Sequence, residues 1–351
     1  MRRPLRILLI TALILATAVF AGVRWVHHYV HAPVPITEPV VFVVEPGTSL
    51  GAVARNLEAR GAIEHPRVWA AHARVHGLAK RIRAGEYQIE PGATPASVLD
   101  QLVRGDVILR ELTIVEGWSF RDLMHAIANH PALQQTLHGA SEAEIMERVG
   151  SAGVHPEGQF FPDTYRFAGG TPDVELLRMA HEALRARLQA AWDARVEGLP
   201  VESAYEALIL ASIVEKETGL ASERPLIAGV FVRRLRTGMR LQSDPTVIYG
   251  IGVSYDGNIR RRDLQADSPY NTYTRRGLPP TPIAMPGEGA LRAATRPDDS
   301  GAIYFVATGE PDGSHYFSKT LAEHNAAVKR FLARLRSRAA STAPPANNNA
   351  R

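Results

Sequence analysis

Residues 205–214, YEALILASIV, constrain the fold of this chain more than any other stretch. At helical spacing they leave almost no face for water. A helix apolar all round must run through the middle of a core. The run then ends in Glu215, Lys216, Glu217 and Thr218, which raises the question of what two carboxylates do at the end of a buried rod.

On a helix, Glu217 shares a face with Leu210, Ile213 and Val214, its neighbours at i−7, i−4 and i−3. Glu215 lies about 200° round, beside Leu208, Ala211 and Ser212. The two carboxyls point to opposite sides and cannot share one proton or one substrate. Apolar neighbours disfavour the ionised form, and the C-terminal end of a helix carries partial negative charge, so both raise a carboxyl's pKa. A carboxyl still protonated near neutral pH is what a general acid requires. The same pattern also fits solvated charges at a helix end, or partners for nearby arginines, and the residues alone leave both readings open.

Around this helix the chain reads as α+β. Residues 41–61 place a β-branched run, a Glu-Pro-Gly turn, a hydroxyl cap and an amphipathic helix in order, and residues 87–105 repeat that order with Pro95 in the helix's first turn. Residues 112–130 form a looser third copy with Ser119 as the cap. In each, glycine permits the turn and the hydroxyl satisfies orphan amides. Val53 with Leu57, and Val98 with Leu102, fall on single helix faces. A module over 41–110 is expected from this, either a structural spacer or a carbohydrate-binding unit resembling LysM.

Helices are expected over DVELLRMAHEALRARLQAAWDARV, YEALILASIVEKET and ASERPLIAGVFVRRLRTG. Gly219 follows the second, Ser222 caps the third with Pro225 in its first turn, and Gly238 closes it. Turn residues multiply after 240, a strand is expected over 302–309, and a last helix over 320–337. The tail STAPPANNNAR has nothing to bury and reads as disordered.

The N-terminus carries MRRPLR followed by 17 uncharged residues, 7–23, just enough for one membrane crossing. Arg2, Arg3 and Arg6 place that end in the cytoplasm and the rest of the chain outside. A cleaved signal peptide is the rival reading, but the small-residue site Ala16-Thr17-Ala18 falls inside the apolar run instead of after it. Residues 1–28 are therefore expected to be a cytoplasmic tip and anchor, 29–40 a proline-rich linker, 41–110 the small module, 111–338 a larger domain built round the apolar run and 339–351 the tail.

The chain has no cysteine, which excludes disulfides, thiolate metal sites and a thiol nucleophile. Its 13 histidines show no HExxH-type spacing, so neither a metal nor another cofactor is expected. A net charge of +4 with scattered basic residues gives no nucleic-acid footprint.

Taken together, ASIVEKET, ASERPLIAGVFVRRLRTGMRLQSDPTVIYGIG, SPYNTYTRRGLPPTPIAMPG and HYFSKTLAEHN resemble the MltG (YceG-like) family of endolytic murein transglycosylases. The likeness runs from about residue 40 to 335 and includes EGQFFPDTY. It implies a single-pass inner-membrane protein with a LysM-like subdomain, and a mixed α/β catalytic domain with a lytic-transglycosylase-like helical element facing the periplasm. It implies cleavage of MurNAc-β-1,4-GlcNAc bonds within peptidoglycan strands to leave 1,6-anhydro-MurNAc ends, which would limit nascent strand length, near peptidoglycan synthases. The family's catalytic glutamate, the second of Glu-Lys-Glu-Thr, falls on Glu217.

Gln242, Ser243, Asp244 and Thr246, placed in a turn and followed by Tyr249, are candidate substrate contacts, as are Asn271 and Tyr273 in SPYNTYTRRG. Amides and aromatic faces are what an acetylated sugar asks for. Glu157 and Asp163 are candidates for ion pairs with arginine or for assisting acids. A noncatalytic peptidoglycan-binding or division scaffold, and a hydrolase that adds water, are the competing functional readings.

Overall fold

The computed structural model describes residues 2–342; most of the tail expected to be disordered lies outside them. The chain divides into two compact units at Arg110/Glu111, with Arg166–Thr171 returning to the first.

The first unit opens with α1 (Arg2–His31). Residues 5–31 are long and apolar enough to cross a membrane, with mean hydropathy 2.3. The helix does not stop at the expected linker. Tyr29 and Val30 are buried, as is Val34 beyond the helix end, and Tyr29 Oη accepts the His65 N–H at 3.1 Å. The start of 29–40 is thus built into the unit and is not free spacer.

Next come β1 (Val40–Val44), α2 (Leu50–Ala59), α3 (Pro66–Val75), β2 (Gly85–Ile89) and α4 (Pro95–Arg104). β1 and β2 pair antiparallel with Phe42 opposite Tyr87, and those rings stack at 5.6 Å. Alternation turns Phe42 and Val44 inward while Val41 and Val43 stay exposed. Ser49 and Thr94 cap α2 and α4 through their side chains, as the repeated motif predicts. α3 escapes the repeat pattern; its Trp69 is fully buried and donates Nε1–H to Pro95 O at 2.9 Å.

β3 (Leu109–Thr113) and β5 (Thr164–Ala168) straddle the unit boundaries. Between them lie α5 (Phe120–Ala128), the short β4 (Leu133–Gln134) and α6 (Glu142–Val149), before β6 (Thr171–Pro172). Ser119 caps α5 with a reciprocal bond from Asp122, the capping-box arrangement. The second unit continues with α7 (Asp173–Asp193), α8 (Ala204–Glu217), α9 (Arg224–Arg236), α10 (Asp244–Ile251), α11 (Arg261–Gln265), α12 (Glu288–Thr295), β7 (Tyr304–Ala307), β8 (His315–Ser318) and α13 (Leu321–Thr342). β7 and β8 form an antiparallel hairpin.

α8 is the axis of this unit. Residues Ala207 through Val214 are all buried, packed among side chains of α7, α9 and α12. Burying a Leu or Ile side chain contributes about 1.5–3 kcal/mol, so this one segment supplies a large share of the unit's cohesion. Ser212, polar in the middle of it, is satisfied: its Oγ–H donates to Ile209 O at 2.7 Å and accepts Ile283 N–H at 3.0 Å.

Candidate active site

α8 delivers Glu215 and Glu217 to different surroundings, as their spacing requires. Glu215 Oε1 receives Arg224 Nη2 at 2.9 Å and Oε2 receives Gly287 N–H at 2.9 Å. Its side chain is 4% exposed and that of Arg224 14%. Arg224 Nη2 also reaches Glu116 Oε2 at 3.1 Å. A Cβ at residue 287 would fall 1.8 Å from Glu116 Oε1, so a larger residue there would displace the exposed Glu116 side chain. Burial pushes the Glu215 carboxyl up, and the Gly287 amide and Arg224 pull it back. It is a clamp joining α8, α9 and the start of α12. Between the two acids, Lys216 points elsewhere and donates to Gly117 O at 3.1 Å.

Glu217 has no ion-pair partner among the described residues. It is half-buried at the last turn of α8, behind it stand the fully buried Ile213 and Val214, and Ser243 Oγ–H donates to its Oε1 at 2.5 Å. Burial raises its pKa to about 7; Ser243 lowers it, Asp244 raises it and Arg234 lowers it. Arg234 is held away as a neighbour, with Nε on Ile303 O at 2.9 Å and Nη1 on Leu241 O at 2.6 Å.

The segment expected to be a turn, 242–246, is helical from Asp244 onward. Ser243 sits at the N-cap of α10 and Asp244 is its first residue, with Pro245 in the first turn. Gln242 is exposed and has φ +52°; its N–H donates to Thr272 O at 3.1 Å. Asp244 is exposed and its Oδ1 accepts Tyr273 Oη–H at 2.6 Å. Thr246 corrects the expectation: it is fully buried, its Oγ1–H donates to Ser243 O at 2.7 Å, and it packs on Thr272 Oγ1 at 2.9 Å. Its hydroxyl is consumed in shaping the turn. Asn271 is a second correction. It is buried, its Nδ2 donates to the backbone oxygens of Asp263, Leu264 and Ala266, and its Oδ1 accepts Tyr273 N–H at 2.9 Å. Its amide has nothing left for a sugar; it fixes the loop that presents Tyr273.

A cleft of about 850 Å³ opens beside this corner, lined by Lys216, Pro245, Ile248, Tyr249, Tyr255 and Tyr270 among others. Glu217 is not itself a wall of it; its chain neighbour Lys216 is, as is Pro245, the residue after Asp244. Tyr249 meets Tyr270 edge-on at 4.8 Å and donates Oη–H to Glu157 Oε2 at 3.2 Å. Glu157 also lines the cleft. It is 3% exposed, it accepts Phe120 N–H at 3.0 Å on Oε1, and burial raises its carboxyl to about 7. Among the described residues it pairs with no arginine, whereas Asp163 lies 3.9 Å from Arg187. No group of three potential metal ligands occurs among the described residues.

A carboxyl with a raised pKa and no ion-pair partner among the described residues, at the end of a core helix and near a cleft with aromatic walls, has the features a general acid requires. The family follows from comparison. The model of the YceG-like family matches residues 42–330, and the chain belongs to that family. It is 30% identical over 309 residues to the endolytic murein transglycosylase of Bacillus subtilis (strain 168), covering 82% of this chain and 83% of that one. It is 25% identical to the protein of that name from Streptococcus pneumoniae serotype 2 (strain D39 / NCTC 7466), over 82% of this chain and 57% of that one. The crystal structure of a yceG-like protein from Listeria monocytogenes superposes with a TM-score of 0.51 at 27% identity, covering 83% of this chain and 99% of that one.

Proposed function

We propose that this protein is an endolytic murein transglycosylase in which Glu217 is the sole proton-transfer group. The observation that carries the reading is the contrast at the end of α8: Glu215 is neutralised by Arg224, while Glu217 is half-buried, bound only by a hydroxyl, and protonated up to about pH 7. The relatives' names supply the substrate.

In the reaction, protonated Glu217 gives its hydrogen to the oxygen bridging MurNAc C1 and GlcNAc O4 as that bond breaks. The resulting carboxylate then takes the proton from the C6 hydroxyl of the same MurNAc, whose oxygen closes on C1. An ordinary glycosidase needs a second carboxylate to act on water or on the sugar. Here the nucleophile is part of the substrate, so one acid/base completes the proton cycle. Ser243 holds the carboxyl in place at both stages. Gln242, Asp244, Tyr249 and Tyr273 would contact the strand, Tyr249 from the wall of the cleft.

α1 would anchor the protein in the bacterial inner membrane, with the three arginines of its first turns cytoplasmic and both units periplasmic. The order β1-α2-α3-β2 around an antiparallel pair supports a LysM-like glycan-holding role for the first unit, and α8 would be the lytic-transglycosylase-like helical element of the second. Peptidoglycan synthases would be its neighbours.

Mass analysis of products from uncrosslinked glycan strands tests the reading. Internal cuts ending in anhydro-MurNAc, one water lighter than a hydrolysed end, are expected. Reducing MurNAc ends would indicate a hydrolase, and unaltered strands a scaffold.

A further inference from the structure

The residue that follows the hydroxyl on Glu217 is a second acid. Asp244 is exposed at the first position of α10, and no cation pairs with it among the described residues. Its one side-chain partner is the Tyr273 hydroxyl, at 2.6 Å. Tyr273 is in turn fixed by the wholly committed amide of Asn271.

The turn leading into Asp244 is held in an unfavourable shape. Gln242 is the one non-glycine residue in the left-handed region among the described residues, a conformation that is unfavourable when a side chain is present. Two bonds from Thr272 sustain it: its carbonyl accepts Gln242 N–H, and its Oγ1 accepts Ser243 N–H at 2.9 Å. The outcome of that strain is that Ser243 meets Glu217 while Asp244 stands beside them, uncompensated.

We propose that Asp244 is the second carboxylate of the reaction, a fixed negative charge oriented by Tyr273 that acts through Glu217 before cleavage and on the electron-poor sugar during it. The inference rests on Glu217 being the acid. As the C1–O4 bond breaks, its electron pair leaves with the GlcNAc oxygen, which takes the Glu217 proton, and C1 is left positive. Asp244 forms no bond; its charge offsets that at C1. The C6 oxygen then donates an electron pair to C1 and its hydrogen passes to Glu217, so no water or other reagent enters. Asp244 is exposed, so its charge gains strength when a bound strand displaces the water around it.

The groups facing Glu217 are Ser243 and Asp244 from the start of α10, Arg234 from α9 and Tyr273 from the loop after α11. Asp244 is the one among them that opposes ionisation of Glu217 at neutral pH. A carboxylate at a helix's first position also favours the helix by itself. A purely structural role of that kind would leave the pH dependence of cleavage untouched.

The test is kcat against pH for the full chain in detergent on uncrosslinked strands, with Asp244→Asn, Asp244→Glu, Tyr273→Phe and Glu217→Gln, and the melting temperature of each. Asp244→Asn is expected to lower kcat about 100-fold with KM nearly unchanged. It should also move the high-pH limb of the profile down by about one pH unit, because removing a like charge lets Glu217 lose its proton sooner. Tyr273→Phe should lose about tenfold, and Asp244→Glu should restore part of the loss. Normal kcat in Asp244→Asn, or a loss with an unmoved limb, overturns the proposal. If that variant does not fold, Asp244→Ser, which also removes the charge while keeping a small polar residue at the first position of the helix, reads the same limb and decides in the same way. An active Glu217→Gln would overturn the acid itself, whereas an inactive Glu217→Gln beside an unaltered Asp244→Asn overturns only the role of Asp244.

Discussion

Two glutamates two residues apart on one helix meet opposite fates. Glu215 turns toward α9 and α12, where a guanidinium and a backbone amide occupy both its oxygens. Glu217 turns toward α10, where it meets one hydroxyl and, one residue further on, a carboxylate. Both are withdrawn from water and both are pushed up by burial. The difference lies in what stands opposite: a cation makes a structural clamp, and its lack makes an acid. Burial alone does not create a catalytic group. Burial without a counter-charge leaves a carboxyl able to hold a proton near neutral pH, as at Glu217 and Glu157.

The comparison breaks most sharply when each glutamate is neutralised in turn. Glu217→Gln should reduce anhydro product by roughly 1,000-fold or more, within the range general acids supply, and leave the fold intact. Glu215→Gln should keep the product but cost about 3 kcal/mol of stability, read by chemical denaturation, because Arg224 is then a half-buried cation with only the exposed Glu116 to answer it.

Ser243→Ala sharpens the contrast on the catalytic side. Loss of the hydroxyl should lower kcat about tenfold, and it should shift the high-pH limb of the rate profile upward, since the Ser243 bond favours the ionised carboxyl. That shift is opposite in sign to the one expected for Asp244→Asn, so the two variants cross-check each other.

The smallest effect is on stability. The folded-state pKa of Glu217 is raised from 4.5 to about 7, so the folded protein binds more protons than the unfolded chain across that window. Its contribution is fully present below the unfolded value and is lost as pH rises toward 7. Glu217→Gln should therefore melt like the parent protein at pH 4.5 and be about 1–2 kcal/mol more stable at pH 8.

Much of this contrast could be read from the residues. The all-round apolar run required a core helix, and the two-residue spacing required opposed carboxyls, because both follow from helix geometry alone. The strand-turn-helix copies were equally legible, since their caps and turns are local. What could not be read is non-local. Pairing with a nearby arginine is one of the open readings, but nothing in the sequence assigns Arg224 to Glu215 instead of Glu217, and still less does it announce Gly287, 72 residues away. Asn271 and Thr246 looked like sugar contacts because their side chains are polar, and only the fold reveals that the backbone consumes them. The helical start at Asp244 did have a signal, a Ser-Asp-Pro sequence with the hydroxyl at the cap and proline in the first turn. α3 lacked a side-chain cap on His65, and its exit from the repeat hid it.

The central claim is that Glu217 holds a proton at neutral pH. Infrared difference spectra between the parent protein and Glu217→Gln, recorded across pH, isolate the stretch of that one protonated carboxyl from that of Glu157, whose pKa is raised to the same range. The band should persist to pH 6 and fade with a midpoint near 7. A midpoint near 4.5, the value of an ordinary solvated glutamate, would contradict the account.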